Sequence, residues 1–155
     1  MEMTGQERIE APVADVWRAL NDPNMLRRCI PGCETLSRQS DQRMAATVAL
    51  KIGPIKARFA GEVELTNLAP LRSYTITGEG KGGIAGFAKG SADVALAEDG
   101  PKATMLSYSV KADVGGKIAQ LGNRLIDSTA RRLAAQFFSA LGDELTTPAE
   151  TVGSR

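Results

Sequence analysis

The sequence contains no histidine, and this absence removes several kinds of site at once. Histidine is the most common general base near neutral pH and the most common metal ligand. Catalysis by a Ser–His or Cys–His pair is therefore excluded. Cys29 and Cys33 are too few for a structural zinc site or for a disulfide-bonded secreted scaffold, so we expect two free thiols and no bound metal.

An excess of charge of either sign is also lacking. The 19 Lys and Arg residues are balanced by 18 Asp and Glu residues, which gives a formal net charge of +1. Nucleic-acid binders grip phosphates through clustered Lys and Arg, so we expect no nucleic-acid partner. No apolar run approaches the roughly 18 residues that span a bilayer, and Met1 to Glu10 do not resemble a secretion signal. We therefore expect one cytoplasmic domain.

The hydrophobic period changes along the chain in an informative order. Residues 4–10 are typical of a first strand, and Pro12 then opens a short helix with Val16 and Trp17 on one face. A second short helical turn follows Pro23. From residue 34 to residue 114 apolar and polar residues alternate, as in strands with one solvated face.

A helical period follows the last strand. The apolar positions predict one long amphipathic helix; they are Ile118, Leu121, Leu125, Thr129, Leu133, Phe137, Leu141 and Leu145. Together the elements predict an α+β, helix-grip fold. Its curved antiparallel sheet of about six or seven strands wraps around the C-terminal helix, and two short helices follow the first strand. We assign residues 1–145 to this domain and residues 146–155 to a short polar tail.

The inward faces of the predicted strands are rich in small residues. They are Ala46, Ala57, Gly61, Gly78, Gly80, Ala88, Gly90, Ala92 and Ala112. Because protein interiors are densely packed, a gap between such strands and a helix must close or must hold something. One alternative is close packing at Gly122, Ala130 and Ala134. The bulk of Leu121, Leu125 and Phe137 favours the other alternative, an apolar ligand cavity.

The expected cavity wall contains few polar groups. We predict no catalytic residue and ten ligand-binding residues; these are Trp17, Phe59, Val63, Tyr74, Ile76, Val94, Tyr108, Leu121, Leu125 and Thr129. Alternation places the candidate acids and bases Glu79, Lys89, Asp93 and Asp113 on the opposite face. The two tyrosines are either polar contacts for a ligand or ordinary core residues.

A glycine-rich segment, residues 78–83, satisfies the G-x-G-x-x-G pattern of dinucleotide-binding proteins. That pattern requires a helix immediately afterwards, whereas residues 84–96 are typical of a strand. We therefore expect these glycines to serve sheet curvature and ligand clearance.

Several short motifs occur in a specific order. They are Ile9-Glu10-Ala11-Pro12 with Val16-Trp17, Cys29-Ile30-Pro31-Gly32-Cys33-Glu34, Ile52-Gly53-Pro54, Gly78-Glu79-Gly80, Val114-Gly115-Gly116-Lys117 and Ala119-Gln120-Leu121-Gly122. Over residues 1–145 the sequence resembles the CoxG family of carbon monoxide dehydrogenase subunits, which belongs to the START-like, helix-grip (SRPBCC) superfamily. The resemblance implies the same fold and a hydrophobic ligand.

The resemblance also implies a role. CoxG proteins are accessory to a molybdenum-containing carbon monoxide dehydrogenase or a related hydroxylase, and are associated with its membrane recruitment. A quinone, menaquinone or ubiquinone, is the implied ligand, with no covalently bound cofactor. Longer members end in a hydrophobic anchor, whereas Thr146 to Arg155 are polar here. The implied location is cytoplasmic, with peripheral contact at the inner face of the membrane.

Two other functions remain open from the residues. An enzyme, a cyclase or hydrolase, would act on an apolar substrate through Tyr74, Tyr108 or a pocket carboxylate. An interaction module would have a filled core instead of a cavity. Lys117, Arg124 and Arg131 recur every seven residues, which is compatible with a docking face for an enzyme or an anionic membrane and more typical of a solvated helix face.

Overall fold

A computed structural model describes residues 1–146 and shows the predicted alternation of helices and strands. The strands are β1 (Glu2–Ile9), β2 (Cys33–Ser40), β3 (Arg43–Ile52), β4 (Ile55–Ala69), β5 (Ser73–Lys81), β6 (Phe87–Glu98) and β7 (Thr104–Gly115). The helices are α1 (Val13–Leu20), α2 (Pro23–Cys29) and α3 (Asn123–Thr146). Thr146 ends α3, and the remainder of the predicted polar tail lies outside the described residues.

The seven strands form one sheet in the order β1-β7-β6-β5-β4-β3-β2. Every neighbouring pair is antiparallel, and the chain passes through β2 to β7 as a meander before α3. α1 and α2 come between β1 and β2, as the sequence predicts. The α+β helix-grip architecture is thus confirmed.

Local sequence signals explain the two short helices. α1 buries Val16, Ala19 and Leu20 on one face, which anchors it to the sheet. The carboxylate of Asp22 accepts a hydrogen bond from the backbone N–H of Asn24 at 2.9 Å and so caps α2. α2 begins with Pro23, a residue that suits the first helical turn.

The predicted single long helix is interrupted. Residues 117–121 form a 3-10 helix, and Gly122, at φ 91°, separates it from α3. A left-handed backbone of this kind is accessible to glycine at little cost, so the chain turns here before the α-helix begins. The helical phase predicted from Ile118 onward therefore does not carry through to α3.

Two apolar clusters lie at opposite ends of the curled sheet. The larger one joins α1, α2 and the C-terminal part of α3 to the sheet, and includes Val16, Leu106 and Leu141, all almost fully buried. The smaller cluster consists of buried Phe59, Ala85 and Ile118 with partly buried neighbours. The strand positions between the clusters carry the small residues, so the middle of the sheet lacks side-chain bulk.

A candidate ligand cavity between the sheet and the long helix

The space between the sheet and α3 is a cavity of about 670 Å³. Its wall is formed by positions of all seven strands, by the three α-helices, by the 3-10 helix before α3 and by the segment that joins α2 to β2. This volume falls within the range of small-molecule sites, about 300–1,000 Å³. The cavity that the small-residue strands predict is therefore present, and the filled core of an interaction module is not.

Cross-strand register aligns the small residues into rows. Gly61 pairs with Gly80, and Gly80 pairs with Ala88 on the next strand. A second row joins Gly78, Gly90 and Ala112 in the same way. Each row spans three strands, and the two rows are adjacent on β5 and β6, so β4 to β7 together lose their bulk in the middle of the sheet. This alignment, rather than the number of small residues, creates the cavity.

Two of these glycines also permit the sheet to curl. A Cβ at Gly61 would lie 2.8 Å from the carbonyl oxygen of Glu79, and a Cβ at Gly90 would overlap the carbonyl oxygen of Lys111. The backbones of neighbouring strands approach too closely there for any side chain. Gly80 differs, because a Cβ at this position would meet only the Cβ of Phe59, at 3.9 Å, and would project into open space.

Four positions on successive turns of α3 form the roof of the cavity: Leu133, Ala134, Phe137 and Phe138. Phe138 stacks on Tyr108 of β7, with ring centroids 5.4 Å apart and an interplanar angle of 19°. Phe137 meets Phe138 edge to face at 5.1 Å. Such aromatic pairs fix the height of the helix above the sheet, which keeps the cavity from collapsing at this point.

The C-I-P-G-C segment closes one side of the cavity. Ile30 and Pro31 line the wall, and buried Cys29 belongs to the larger apolar cluster. The carbonyl oxygen of Gly32 accepts a hydrogen bond of 2.9 Å from the backbone N–H of Ala49 on β3. A side chain at Gly32 would overlap the backbone of Ala49, so only glycine allows this segment to lie against the strand.

Six of the ten predicted ligand-binding residues line the cavity. They are Phe59, Val63, Tyr74, Ile76, Val94 and Tyr108. All six are on strands, where the alternation of side chains fixes which face each occupies. Their contact with a ligand stays a prediction.

The other four predicted residues are not part of the cavity wall. Trp17 packs edge to face behind Tyr74, with ring centroids 5.5 Å apart. Leu121 and Leu125 lie beside Gly53 of the β3–β4 turn. A Cβ added at Gly53 would lie 2.7 Å from Leu125 Cδ2. Thr129 is buried in α3 outside the wall. The interruption at Gly122 explains the displacement of Leu121, which precedes it, whereas Leu125 lies in the first turn of α3 beside the β3–β4 turn.

Several wall residues were not predicted as binding residues. They are Leu133 and Phe138 of α3, Leu20 and Leu26 of the short helices, and Ile30 directly after α2. The adjacent pair Phe137-Phe138 was the available signal for the roof. Two neighbouring aromatic side chains on a helix are more often buried than exposed to solvent. No sequence signal oriented the short helices toward the cavity.

The charged residues near the cavity have exposed side chains. Glu79 is paired in register with Lys89, and Lys89 with Asp113, and all three are exposed. By strand alternation they lie on the outer face. Asp93 accepts a hydrogen bond of 2.8 Å from Thr75, also on that face. The cavity interior thus has the apolar character that the sequence predicts.

Burial raises the pKa of one tyrosine in the cavity wall and of the two cysteines. Burial raises the pKa of the Tyr74 hydroxyl well above its ordinary 10.0, so the phenol stays protonated. Burial also raises the pKa of the thiols of Cys29 and Cys33 above 9.0, and Glu144 adds to the effect at Cys29. Both cysteines are free, as predicted, and neither is an activated nucleophile.

Other kinds of site lack their structural basis within residues 1–146. No group of three or more Cys, Asp or Glu residues in this range could hold a metal ion. The glycine-rich segment runs from β5 into a 3-10 turn and then into β6, so the helix of a dinucleotide-binding site does not follow it. No helix of the described residues is sufficiently long and apolar to cross a bilayer.

Comparison with protein families gives a decisive match. The family model of CoxG, a carbon monoxide dehydrogenase subunit, matches residues 5–146, nearly the whole described chain. This chain belongs to the CoxG family. The family assignment from the ordered sequence motifs is thereby confirmed. A comparison with curated proteins gives no match.

Solved structures agree with the fold of this CoxG protein. A conserved protein from Geobacillus kaustophilus is 28% identical, with a TM-score of 0.90 over 96% of this chain and 97% of that one. A START superfamily protein from Mycobacterium smegmatis is 14% identical, with a TM-score of 0.70 over 98% and 99%. The ZhuI aromatase/cyclase from Streptomyces is 11% identical, with a TM-score of 0.73 over 100% and 99%. At such identities the last two show the helix-grip fold alone.

Proposed function

We propose that this CoxG protein is a non-catalytic carrier that holds an isoprenoid quinone or a similar lipid in its cavity. The observation that carries the proposal is the apolar chamber of about 670 Å³ under α3. Family membership supports the accessory role and points to a molybdenum-containing carbon monoxide dehydrogenase, or a related hydroxylase, as the partner. The carrier would help recruit that enzyme to the inner face of the membrane or pass electrons by way of its quinone.

The size of the cavity limits which part of a ligand can enter. At the roughly 30 Å³ that a water molecule occupies in the liquid, the cavity has room for about 20 non-hydrogen atoms. A menaquinone or ubiquinone ring with one or two isoprene units fits this volume. The rest of a long isoprenoid tail would remain outside, so short-tailed analogues should bind nearly as well as long-tailed ones.

Two tyrosines offer polar contacts to a quinone. Tyr74 and Tyr108 line the cavity, and neither hydroxyl forms a hydrogen bond with another residue within residues 1–146. A protonated phenol can donate to a quinone carbonyl, and the raised pKa of Tyr74 keeps its proton in place. An apolar wall with a few polar contacts is the usual composition of a small-molecule site.

The proposal is tested by isolating the protein from its own host and extracting bound lipids. Native mass spectrometry should detect a quinone-sized adduct, and the stripped protein should bind menaquinone or ubiquinone analogues with short tails. Tyr74→Phe and Tyr108→Phe should each weaken quinone binding without preventing folding. If no apolar adduct is recovered and no analogue binds, the carrier function is refuted.

The alternative function, a cyclase or hydrolase, needs an acid or base that reaches the substrate. The related fold of an aromatase/cyclase gives the idea its only support outside the sequence. The carboxylates near the cavity are on the outer face, and Tyr74 resists ionisation because it is buried. Turnover of a polyketide or ester substrate that is lost in Tyr74→Phe would favour the enzyme over the carrier.

The partner is tested separately from the ligand. Immobilised CoxG protein should retain the native carbon monoxide dehydrogenase or hydroxylase from an extract of the host, identified by mass spectrometry and by its own dye-reduction activity. Retention that depends on Arg131 would support a docking role for the exposed face of α3. Failure to retain any molybdenum hydroxylase would refute the accessory role while leaving the ligand assignment intact.

A further inference from the structure

One end of the sheet presents a large apolar side chain to solvent. Ile84 is 86% exposed, the highest value of any large hydrophobic residue within residues 1–146, and nearby Phe87 is 41% exposed. Ile84 lies in the connection between β5 and β6, and Phe87 is the first residue of β6. Single exposed hydrophobic side chains are common on protein surfaces, so the surroundings of Ile84 decide what its exposure means.

The turn that carries Ile84 is firmly held. The backbone N–H of Ala85 donates to the carbonyl oxygen of Gly82 at 3.1 Å, and that of Gly82 donates to the carbonyl oxygen of Gly86 at 2.8 Å. Gly86 lies against the backbone of Gly115 so closely that a side chain would not fit. Ile84 is therefore presented by a fixed, hydrogen-bonded turn and not by a loose loop.

The end of the sheet that carries Ile84 is rich in positive charge. Three segments meet at this end of the sheet: residues 51–56, 81–87 and 115–124. They contain five cations and no acid. The cations are Lys51, Lys56, Lys81, Lys117 and Arg124, all exposed, and none forms an ion pair within residues 1–146.

The opposite end of the sheet is different. Its turns, residues 39–44, 68–73 and 97–104, carry three cations and three acids. Asp99 in the last of these turns is paired with Arg8 at 2.7 Å. The protein as a whole has a net charge of only +1, so the excess of cations around Ile84 is a local feature.

We propose that the Ile84 end of the sheet is a docking surface for an anionic lipid bilayer, with Ile84 inserted among the acyl chains and the five cations at the headgroups. An exposed apolar residue at the same end of the sheet as five cations without an ion pair complements the interface of a bilayer, which has anionic headgroups above hydrocarbon. This inference rests on the proposed carrier function and deepens it, because it names the surface through which the carrier would meet the membrane.

The docking surface is continuous with the cavity. Ala85, next to Ile84, packs in one apolar cluster with Phe59 and Ile118, and both of these residues line the cavity. Docking through this end would therefore place the bilayer beside the apolar cluster that borders the cavity.

Binding of the full-length, ligand-free protein to vesicles tests the surface. Sedimentation with phosphatidylcholine vesicles that contain phosphatidylglycerol should show binding, which high salt should weaken, and pure phosphatidylcholine should bind much less. Ile84→Gln should lower the affinity at least about tenfold, the effect of withdrawing one large apolar side chain. The combined variant K56Q, K81Q and K117Q should lower it about a hundredfold, at about fivefold for each cation.

Matched controls come from the opposite end of the sheet. Leu71 is 45% exposed on the β4–β5 turn, and Leu71→Gln should leave vesicle binding unchanged. Lys102→Gln provides the same control for charge. Ile84→Trp should tighten binding and shift its emission to shorter wavelength on anionic vesicles. Thermal unfolding of each variant confirms that the fold is retained, because the altered side chains are exposed.

Three results would overturn the proposal. They are no binding to anionic vesicles, equal loss of binding in Ile84→Gln and Leu71→Gln, and capture of an acidic protein by this surface in the absence of any vesicle binding. The vesicle assay uses protein without ligand, and the quinone titration uses protein without vesicles. Failure of membrane docking is thus distinguishable from failure of the carrier function.

Discussion

A substitution that fills part of the cavity distinguishes a ligand-binding site from a loosely packed core. Gly80 lines the cavity, and a side chain there would meet only Phe59 Cβ, at 3.9 Å, before entering open space. Gly80→Leu adds four carbons to the cavity, so about four carbons of a bound molecule no longer fit inside it. At about 0.8 kcal/mol for each buried CH₂ group, the ligand loses about 3 kcal/mol, or roughly two orders of magnitude in affinity.

The empty protein should not suffer from the same change. A leucine at Gly80 replaces a flexible residue in a strand and covers apolar wall that is otherwise solvated, so the free energy of unfolding should stay equal or rise. Two assays are needed. Binding of a short-tailed menaquinone analogue is measured by calorimetric titration, and the free energy of unfolding is measured by urea denaturation monitored through Trp17 fluorescence. Gly80→Ala, which adds one carbon, is the matched control and should change affinity by less than about tenfold.

One combination of results would refute this reasoning. If Gly80→Leu is folded and binds the analogue as tightly as the parent protein, the analogue does not occupy the cavity. Ala88→Leu tests the same point from the next strand of the same row, so a folding defect peculiar to position 80 would not hide the answer. A loss of stability in both variants would show that the space above this row is already filled.

Further predictions concern stability. Gly90→Ala should destabilise the protein by about 1–3 kcal/mol in urea denaturation, since the added methyl group overlaps the carbonyl oxygen of Lys111; an effect no larger than that of Gly80→Ala would contradict this. Gly142→Ala, in α3 with no atom near the added methyl group, should stabilise the protein by about 0.5–1 kcal/mol, observed as a higher urea midpoint. Burial raises the pKa of Tyr74, so above pH 10.0 the unfolded chain loses a proton that the folded protein keeps, and stability should fall as pH rises. Tyr74→Phe should remove that part of the alkaline loss, and an unchanged pH profile would show that the hydroxyl is not buried.

The strands could be predicted from the sequence because alternation is a strict rule. Once the period of two is recognised, the face of residues such as Phe59, Ile76 and Tyr108 follows directly, and these residues line the cavity. The register could not be predicted in the same way. Whether Gly61, Gly80 and Ala88 fall into one row depends on the lengths of the turns between strands.

The helix was less predictable because its phase depends on one residue. The apolar spacing from Ile118 to Leu145 is compatible with a single helix, yet Gly122 at φ 91° divides it. Leu121, just before the break, packs near Gly53 and not against the cavity wall, although Ile118 still lines the cavity. Positions after the break, such as Leu133 and Phe137, keep the predicted inward orientation. Trp17 shows a different limit, since pattern alone does not separate a wall residue from one directly behind it.

The size of the cavity is itself an argument about function. Extrapolated at about 24 cal/mol per Å³, an empty and dry space of 670 Å³ would cost about 16 kcal/mol, as much as the entire stability of a typical domain, about 5–15 kcal/mol. A space of this size does not stay empty, and because it opens to solvent, water enters it when no apolar molecule is bound. Water would leave the apolar wall hydrated and would find few polar partners there, whereas an apolar molecule removes both costs. We therefore expect an apolar ligand to raise the stability of this protein, and to raise it more the more of the apolar wall it covers.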